Sequence, residues 1–254
     1  MYNRDMNEMM FAAETQRHSV GEILRCLEAA YGKRAWQPAY APLDELILTI
    51  LSQHTSDINS ARAFNELLQR FPTWEAVRRA PVADIADAIR SGGLAAQKAP
   101  RIQAVLDRIL SNGTEAGWSQ ALNTLPLAEA KARLMALPGV GPKTAACVLL
   151  FACGRPALPV DTHVYRVSKR LGLIEPGVTA EQAHDQIEGL LEPEDVYSFH
   201  LNMIAHGRRV CTARNPRCEL CPLRLRCEFA QGIAGSQRTD TRSIVGQSKG
   251  KDGN

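Results

Sequence analysis

The chain is poor in several things. Aromatic residues make up only 6% of its 254 positions, with three Trp. No apolar run approaches the roughly 20 residues of a membrane-spanning helix, so none is predicted. The first residues carry Asp5, Glu8 and Glu14 and have no uninterrupted apolar segment, so no secretory signal is expected and the cytoplasm is the predicted location. Net charge is scarce too: +3 overall, which alone announces no nucleic-acid partner. Seven cysteines, an odd number, argue against a disulfide framework. Apolar residues at 45% and charged residues at 22% exclude disorder throughout and collagen-like order, and the length suits one or two domains.

What is there is unevenly placed. Residues 201–254 hold 10 Lys/Arg against 4 Asp/Glu, while the rest hold 20 against 23. A basic end on a slightly acidic body suggests a polyanionic partner met from one side. Four cysteines fall within residues 211–227, whereas Cys26, Cys147 and Cys153 lie in apolar helical surroundings and read as small buried hydrophobes.

No stretch alternates with period two, so the fold is predicted to be all-α. Ser19 with Glu22 forms a capping box ahead of Val20, Ile23, Leu24 and Leu27. Helices are predicted over 42–52, from a cap at Asp57 to about Phe71, over 73–80 and 82–91. Another has Pro100 in its first turn and ends near residue 112. Further ones cover 127–136, Pro142 to Cys153, 162–171, 179–191 (Thr179 and Gln182 as a capping box) and 194–210. Residues 1–18 are expected to be a loose tail and 231–254 a disordered one.

Leu137-Pro-Gly-Val-Gly-Pro-Lys-Thr-Ala145 joins two helices by a turn so short that Gly139 and Gly141 must supply unusual torsions or bare backbone. Pro142 suits the first helical position, and the free N–H groups of Gly139, Gly141 and the helix start then point outward, ready for a phosphate. An ordinary helical hairpin would look similar. Lys143 sharpens the reading, because an ammonium in a first helical turn opposes the macrodipole and partial burial would lower its pKa further. A neutral lysine is a nucleophile able to form a Schiff base. Asp161, in Val160-Asp-Thr-His163, is placed to cap the next helix with one oxygen and face Lys143 across a cleft with the other.

Cys211-x6-Cys218-x2-Cys221-x5-Cys227 implies one metal centre. A single Cys-x2-Cys knuckle with two wider arms leaves both an iron–sulfur cluster and zinc open. Arg214, Arg217, Arg224 and Arg226 stand between or beside these cysteines and would put positive charge on a rigid loop.

The hairpin motif, Val160-Asp-Thr-His163 and the four-cysteine pattern, in this order, resemble the endonuclease III family of helix-hairpin-helix DNA glycosylases, over about residues 20–230. The resemblance implies two helical domains flanking a cleft. One is a six-helix barrel over 41–155; the other joins 19–40 to 156–230 and carries a [4Fe–4S] loop at 211–227. It implies a glycosylase that removes damaged pyrimidines, typically oxidised ones, from double-stranded DNA and cuts at the abasic site. Lys143 would be the nucleophile and Asp161 the carboxylate. Gly139, Val140 and Gly141 would grip phosphates, and Cys211, Cys218, Cys221 and Cys227 would be the cluster ligands. Leu94, in Gly92-Gly-Leu94, aligns with an intercalating wedge, and either Gln53 or His54 with a residue filling the hole left by the flipped base. Arg214 and Arg217 would add DNA contacts, and a monomer associated with the nucleoid is expected. The chain departs from the family pattern at Met135, Pro142 and Asn215, where acidic, basic and lysine residues are common. Two other readings stay open. One is a monofunctional adenine, thymine or uracil mismatch glycosylase, which would usually lack the hairpin lysine. The other is a noncatalytic DNA-binding module with a structural metal.

Overall fold

A computed structural model describes residues 20–111 and 113–232. The expected tail over 1–18, the cap at Ser19 and nearly all of the tail expected from 231 onward lie outside those residues; residues 228–232 are helical. Among the described residues there is no strand, and no helix is long and apolar enough to cross a membrane.

The chain divides into two compact units. The larger comprises Ala35–Val160 and Glu192–Tyr197. Its helices are α2 (Pro42–Ser52), α3 (Asp57–Arg70), α4 (Trp74–Arg79), α5 (Val82–Ala88), α6 (Ala95–Leu110), α7 (Glu115–Thr124), α8 (Leu127–Met135) and α9 (Pro142–Cys147). The smaller comprises the described residues before Ala35, Asp161–Leu191, and the described residues from Ser198 onward. It contains α1 (20–31), α10 (Thr162–Leu171), α11 (Ala183–Glu188) and most of α12 (Val196–Arg209).

The larger unit is built around α2. Pro42 opens that helix, and Asp44 and Glu45 in its first turn suit the positive end of the macrodipole. Leu43, Leu46, Ile47, Ile50 and Leu51 are fully buried in one core with residues of α3, α6, α8 and α9. Each such side chain contributes roughly 1.5–3 kcal/mol. α2 therefore sits mid-core, and whatever its C-terminal end carries is firmly placed.

Local chemistry moved several boundaries. Ser56, not Asp57, caps α3, its hydroxyl accepting from Asn59 N at 3.3 Å; the hydroxyl takes the bond because Asp57 already lies inside the helix. Pro100 is inside α6 rather than in its first turn, since the helix starts at Ala95 after the left-handed Leu94. α7 went unforeseen, although Thr114 caps it and Trp118 and Leu122 lie buried on one face. The run from Pro142 is α-helical only to Cys147 and then widens into a π-helical turn over Val148–Ala152. Thr179 and Gln182 do form a reciprocal cap, but regular helix begins only at Ala183.

In the smaller unit Ser198 Oγ donates to Glu28 Oε1 at 2.7 Å and Asn202 Nδ2 to Gly32 O at 3.1 Å, tying α12 to α1 and the turn after it. Of the three cysteines expected in the core, only Cys147 is fully buried; Cys26 and Cys153 are partly exposed.

Candidate functional site

The hairpin lies between α8 and α9. Leu137 and Val140 are buried, and Val140 N already donates to Leu137 O at 3.2 Å, so Val140 anchors the turn and, against expectation, has no free N–H for a phosphate. Gly139 has φ +72°, and a Cβ there would run into the Arg101 guanidinium. Gly141 differs: its backbone is extended, and a Cβ would meet nothing within 4 Å. The fold itself does not demand glycine there, but a group approaching the backbone from solvent would.

Lys143 follows at the second position of α9, half-buried. Among the described residues its ammonium has no hydrogen-bond or ion-pair partner. Its field is nevertheless felt by Glu45, a carboxyl buried on α2. Burial pushes Glu45 up to about 7, against the opposing effects of a Thr49 hydroxyl donating at 3.1 Å and of the Lys143 charge. Glu45, Thr49 and Gln53 recur at four-residue spacing and give an otherwise apolar helix one polar stripe. One polar residue per turn does not disturb the apolar pattern, so such a stripe leaves no mark on the periodicity of the sequence.

Gln53 and His54 follow α2 directly. Arg101 Nη1 donates to Gln53 Oε1 at 2.9 Å, which fixes the amide, and Gln53 Nε2 lies 3.5 Å from Thr144 Oγ1. Gln53 is thus engaged with the hairpin, whereas His54 is exposed at φ +55°. Leu94 is 46% exposed at φ +51°. Among the described residues these two are the non-glycines with positive φ. Arg101 organises both Gln53 and the turn under Gly139; its sequence neighbourhood gives no local sign of that.

Asp161 opens the smaller unit. Its Oδ1 accepts from His163 N at 2.8 Å and Val164 N at 2.7 Å, the expected cap of α10. Both bonds use one oxygen, and among the described residues Oδ2 has no partner. The hairpin, Lys143, Gln53, His54 and Leu94 belong to the larger unit; Asp161 and the cysteine loop belong to the smaller.

Cys211, Cys218, Cys221 and Cys227 line one small cavity together with His206 and Arg170. Burial pushes the Cys221 thiol up to about 11 and also raises Cys227, each further opposed by the other sulfurs. Four cysteines lining one cavity, three half-buried and Cys227 buried, fit a multiply charged centre that would hold them as thiolates. Among the described residues no three His, Cys, Asp or Glu side chains are grouped as they would be round a single metal ion. Arg170 braces the loop: Nη1 reaches Cys211 Sγ at 3.2 Å and donates to Thr212 O at 2.7 Å, and Nη2 donates to Ala213 O at 2.9 Å. Arg214 and Arg217 are exposed.

Comparison with known proteins agrees with this geometry. Residues 47–193 match the model of the HhH-GPD superfamily base excision DNA repair proteins. Residues 211–227 match the iron–sulfur binding domain of endonuclease III, and the cofactor is a [4Fe–4S] cluster. Endonuclease III of Thermotoga maritima is 39% identical over 189 residues, 74% of this chain and 83% of that one. Endonuclease III of Synechocystis is 32% identical over 228 residues, 89% and 99% of the two chains. Among solved structures, a trapped endonuclease III–DNA covalent intermediate superposes with a TM-score of 0.72 at 28% identity, covering 86% of this chain and 98% of that one. A thermostable thymine-DNA glycosylase, at 22% identity and a TM-score of 0.67, shares the fold.

Proposed function

Since the chain belongs to the endonuclease III branch of the HhH-GPD superfamily and is a DNA glycosylase of base excision repair, we propose that it is bifunctional. It would excise damaged, chiefly oxidised, pyrimidines from double-stranded DNA and then cleave the abasic strand. The carrying observation is Lys143: half-buried, without a hydrogen-bond or ion-pair partner among the described residues, and two residues beyond a glycine with open backbone.

The steps follow from the residues. Backbone N–H groups at Gly139 and Gly141 hold phosphate oxygens. The damaged nucleotide leaves the stack; Leu94 enters beside it, and exposed His54, rather than tethered Gln53, fills the gap. The Lys143 Nζ lone pair attacks C1′, the nitrogen gives up a proton, the C1′–N bond breaks, and the base departs with the electron pair. Oδ2 of Asp161 stabilises positive charge developing on the sugar. The C1′–O4′ ring bond then breaks as O4′ takes up a proton, so that the amine and C1′ become an iminium; a C2′ proton is lost, and the 3′ C–O bond breaks by β-elimination, the 3′ phosphate leaving with the electron pair. Cys211, Cys218, Cys221 and Cys227 would hold the cluster, which supplies a rigid cross-link, while exposed Arg214 and Arg217 meet phosphates. On this reading the protein works as a monomer on DNA in the cytoplasm, at the nucleoid.

Borohydride trapping tests the proposal. Wild type and Lys143→Ala are incubated with duplexes containing thymine glycol or an abasic site. A covalent adduct present in wild type and absent in the variant is expected. Strand cleavage that survives Lys143→Ala would overturn the lyase assignment.

A further inference from the structure

Lys98 is charged, nearly 98% shielded from solvent at 2% exposure, and has no role in the chemistry above. Its Nζ donates to Leu51 O at 2.6 Å and to Gly92 O at 2.9 Å. Those carbonyls are not arbitrary. Leu51 lies in the last turn of α2, three residues before His54; Gly92 lies two residues before Leu94. One ammonium on α6 thus ends two separate chain segments, and each segment continues into one of the two positive-φ non-glycine residues. α2 has no basic residue in its own last turn, so Lys98 supplies from another helix the positive charge its C-terminal carbonyls favour.

Burial and the nearby Arg101 charge both disfavour the protonated lysine. A hydrophobic residue of similar length would fill the same space without that cost. Left-handed torsions at a histidine and a leucine persist only where their surroundings over-determine them. Both observations point to a brace for the two exposed tips.

We propose that Lys98 is a positioning residue that locks His54 and Leu94 into a single intercalating pair, so that the two enter the DNA together. This rests on the intercalation reading above. It adds that the two side chains act as one element and that Lys98 is the reason.

The test is a double-mutant cycle read by binding. Dissociation constants are measured for a duplex with a tetrahydrofuran abasic analogue and for the undamaged duplex. The proteins are wild type, His54→Ala, Leu94→Ala and the double variant, each with Lys98 and with Lys98→Met. With Lys98, both single variants lose affinity for the abasic duplex, and the double loses less than their product by roughly 3–10-fold. With Lys98→Met the two losses multiply independently. Independent losses in the Lys98 background, or equal coupling in both, overturn the proposal while leaving intercalation standing. If neither single variant loses affinity for the abasic duplex, intercalation fails and the proposal with it. Should Lys98→Met not fold, Lys98→Gln, which keeps a donor on a shorter arm, is expected to reduce the coupling, and unchanged coupling there overturns the proposal.

Discussion

Arg101 occupies the space that a Cβ on Gly139 would need, while its Nη1 holds Gln53. Gly139→Ala therefore meets two penalties, a left-handed torsion and a displaced guanidinium, and should cost about 1–3 kcal/mol. Gly141→Ala meets neither. It should leave stability within about 1 kcal/mol yet weaken binding to abasic duplex, because the methyl covers backbone that a phosphate would approach. Urea unfolding and a binding titration on both variants check the contrast.

One oxygen of Asp161 caps α10, and the proposed mechanism calls on the other. Asparagine can still accept from His163 N and Val164 N, so Asp161→Asn should unfold within about 0.5 kcal/mol of wild type while single-turnover base excision falls by roughly 100-fold or more. Asp161→Ala should lose that activity and also about 1 kcal/mol of stability. Equal activity of Asp161→Asn and wild type would remove the charge from the mechanism.

Glu45 gives a pH signature of known sign. Its folded-state value, about 7, lies above the 4.5 of an unperturbed glutamate. The folded state thus holds the proton more tightly, and stability falls as pH rises from 4.5 towards 7, then levels. Glu45→Gln removes the ionisation and keeps an acceptor for Thr49. It should be no more than slightly stabilising at pH 5 and more stable than wild type by roughly 1–3 kcal/mol at pH 8. Denaturant unfolding at both pH values measures it.

The cysteines separate by environment. Cys227→Ala should abolish the visible absorbance of the cluster and expose the loop to proteolysis. Cys147→Ala, buried far along the chain from that loop, should keep the absorbance and cost about 1 kcal/mol.

Much of this was legible locally. Thr162–Leu171 emerged with the boundaries that its aspartate cap and apolar spacing imply, and the four cysteines do share one cavity. What escaped was long-range or subtle. Lys98 reaches a carbonyl 47 residues away and Arg101 an amide 48 residues away, distances over which periodicity carries no information. The π-helical turn differs from α-helix by one residue per hydrogen bond, which an unbroken apolar run such as Val148–Ala152 does not encode. Asp57 competed with Ser56 for the same cap, and both types are good caps, so only the backbone register could decide.

Arg170 carries one more implication. It sits near the end of the helix that Asp161 begins, roughly 15 Å along the axis, and its guanidinium grips the cysteine loop at three points. Within that loop only Leu223 and Cys227 are buried, so a centre held by the four cysteines would carry much of its shape. A chain made under iron starvation would therefore keep every residue of its larger unit intact and yet lose the mooring of the helix that presents its carboxylate.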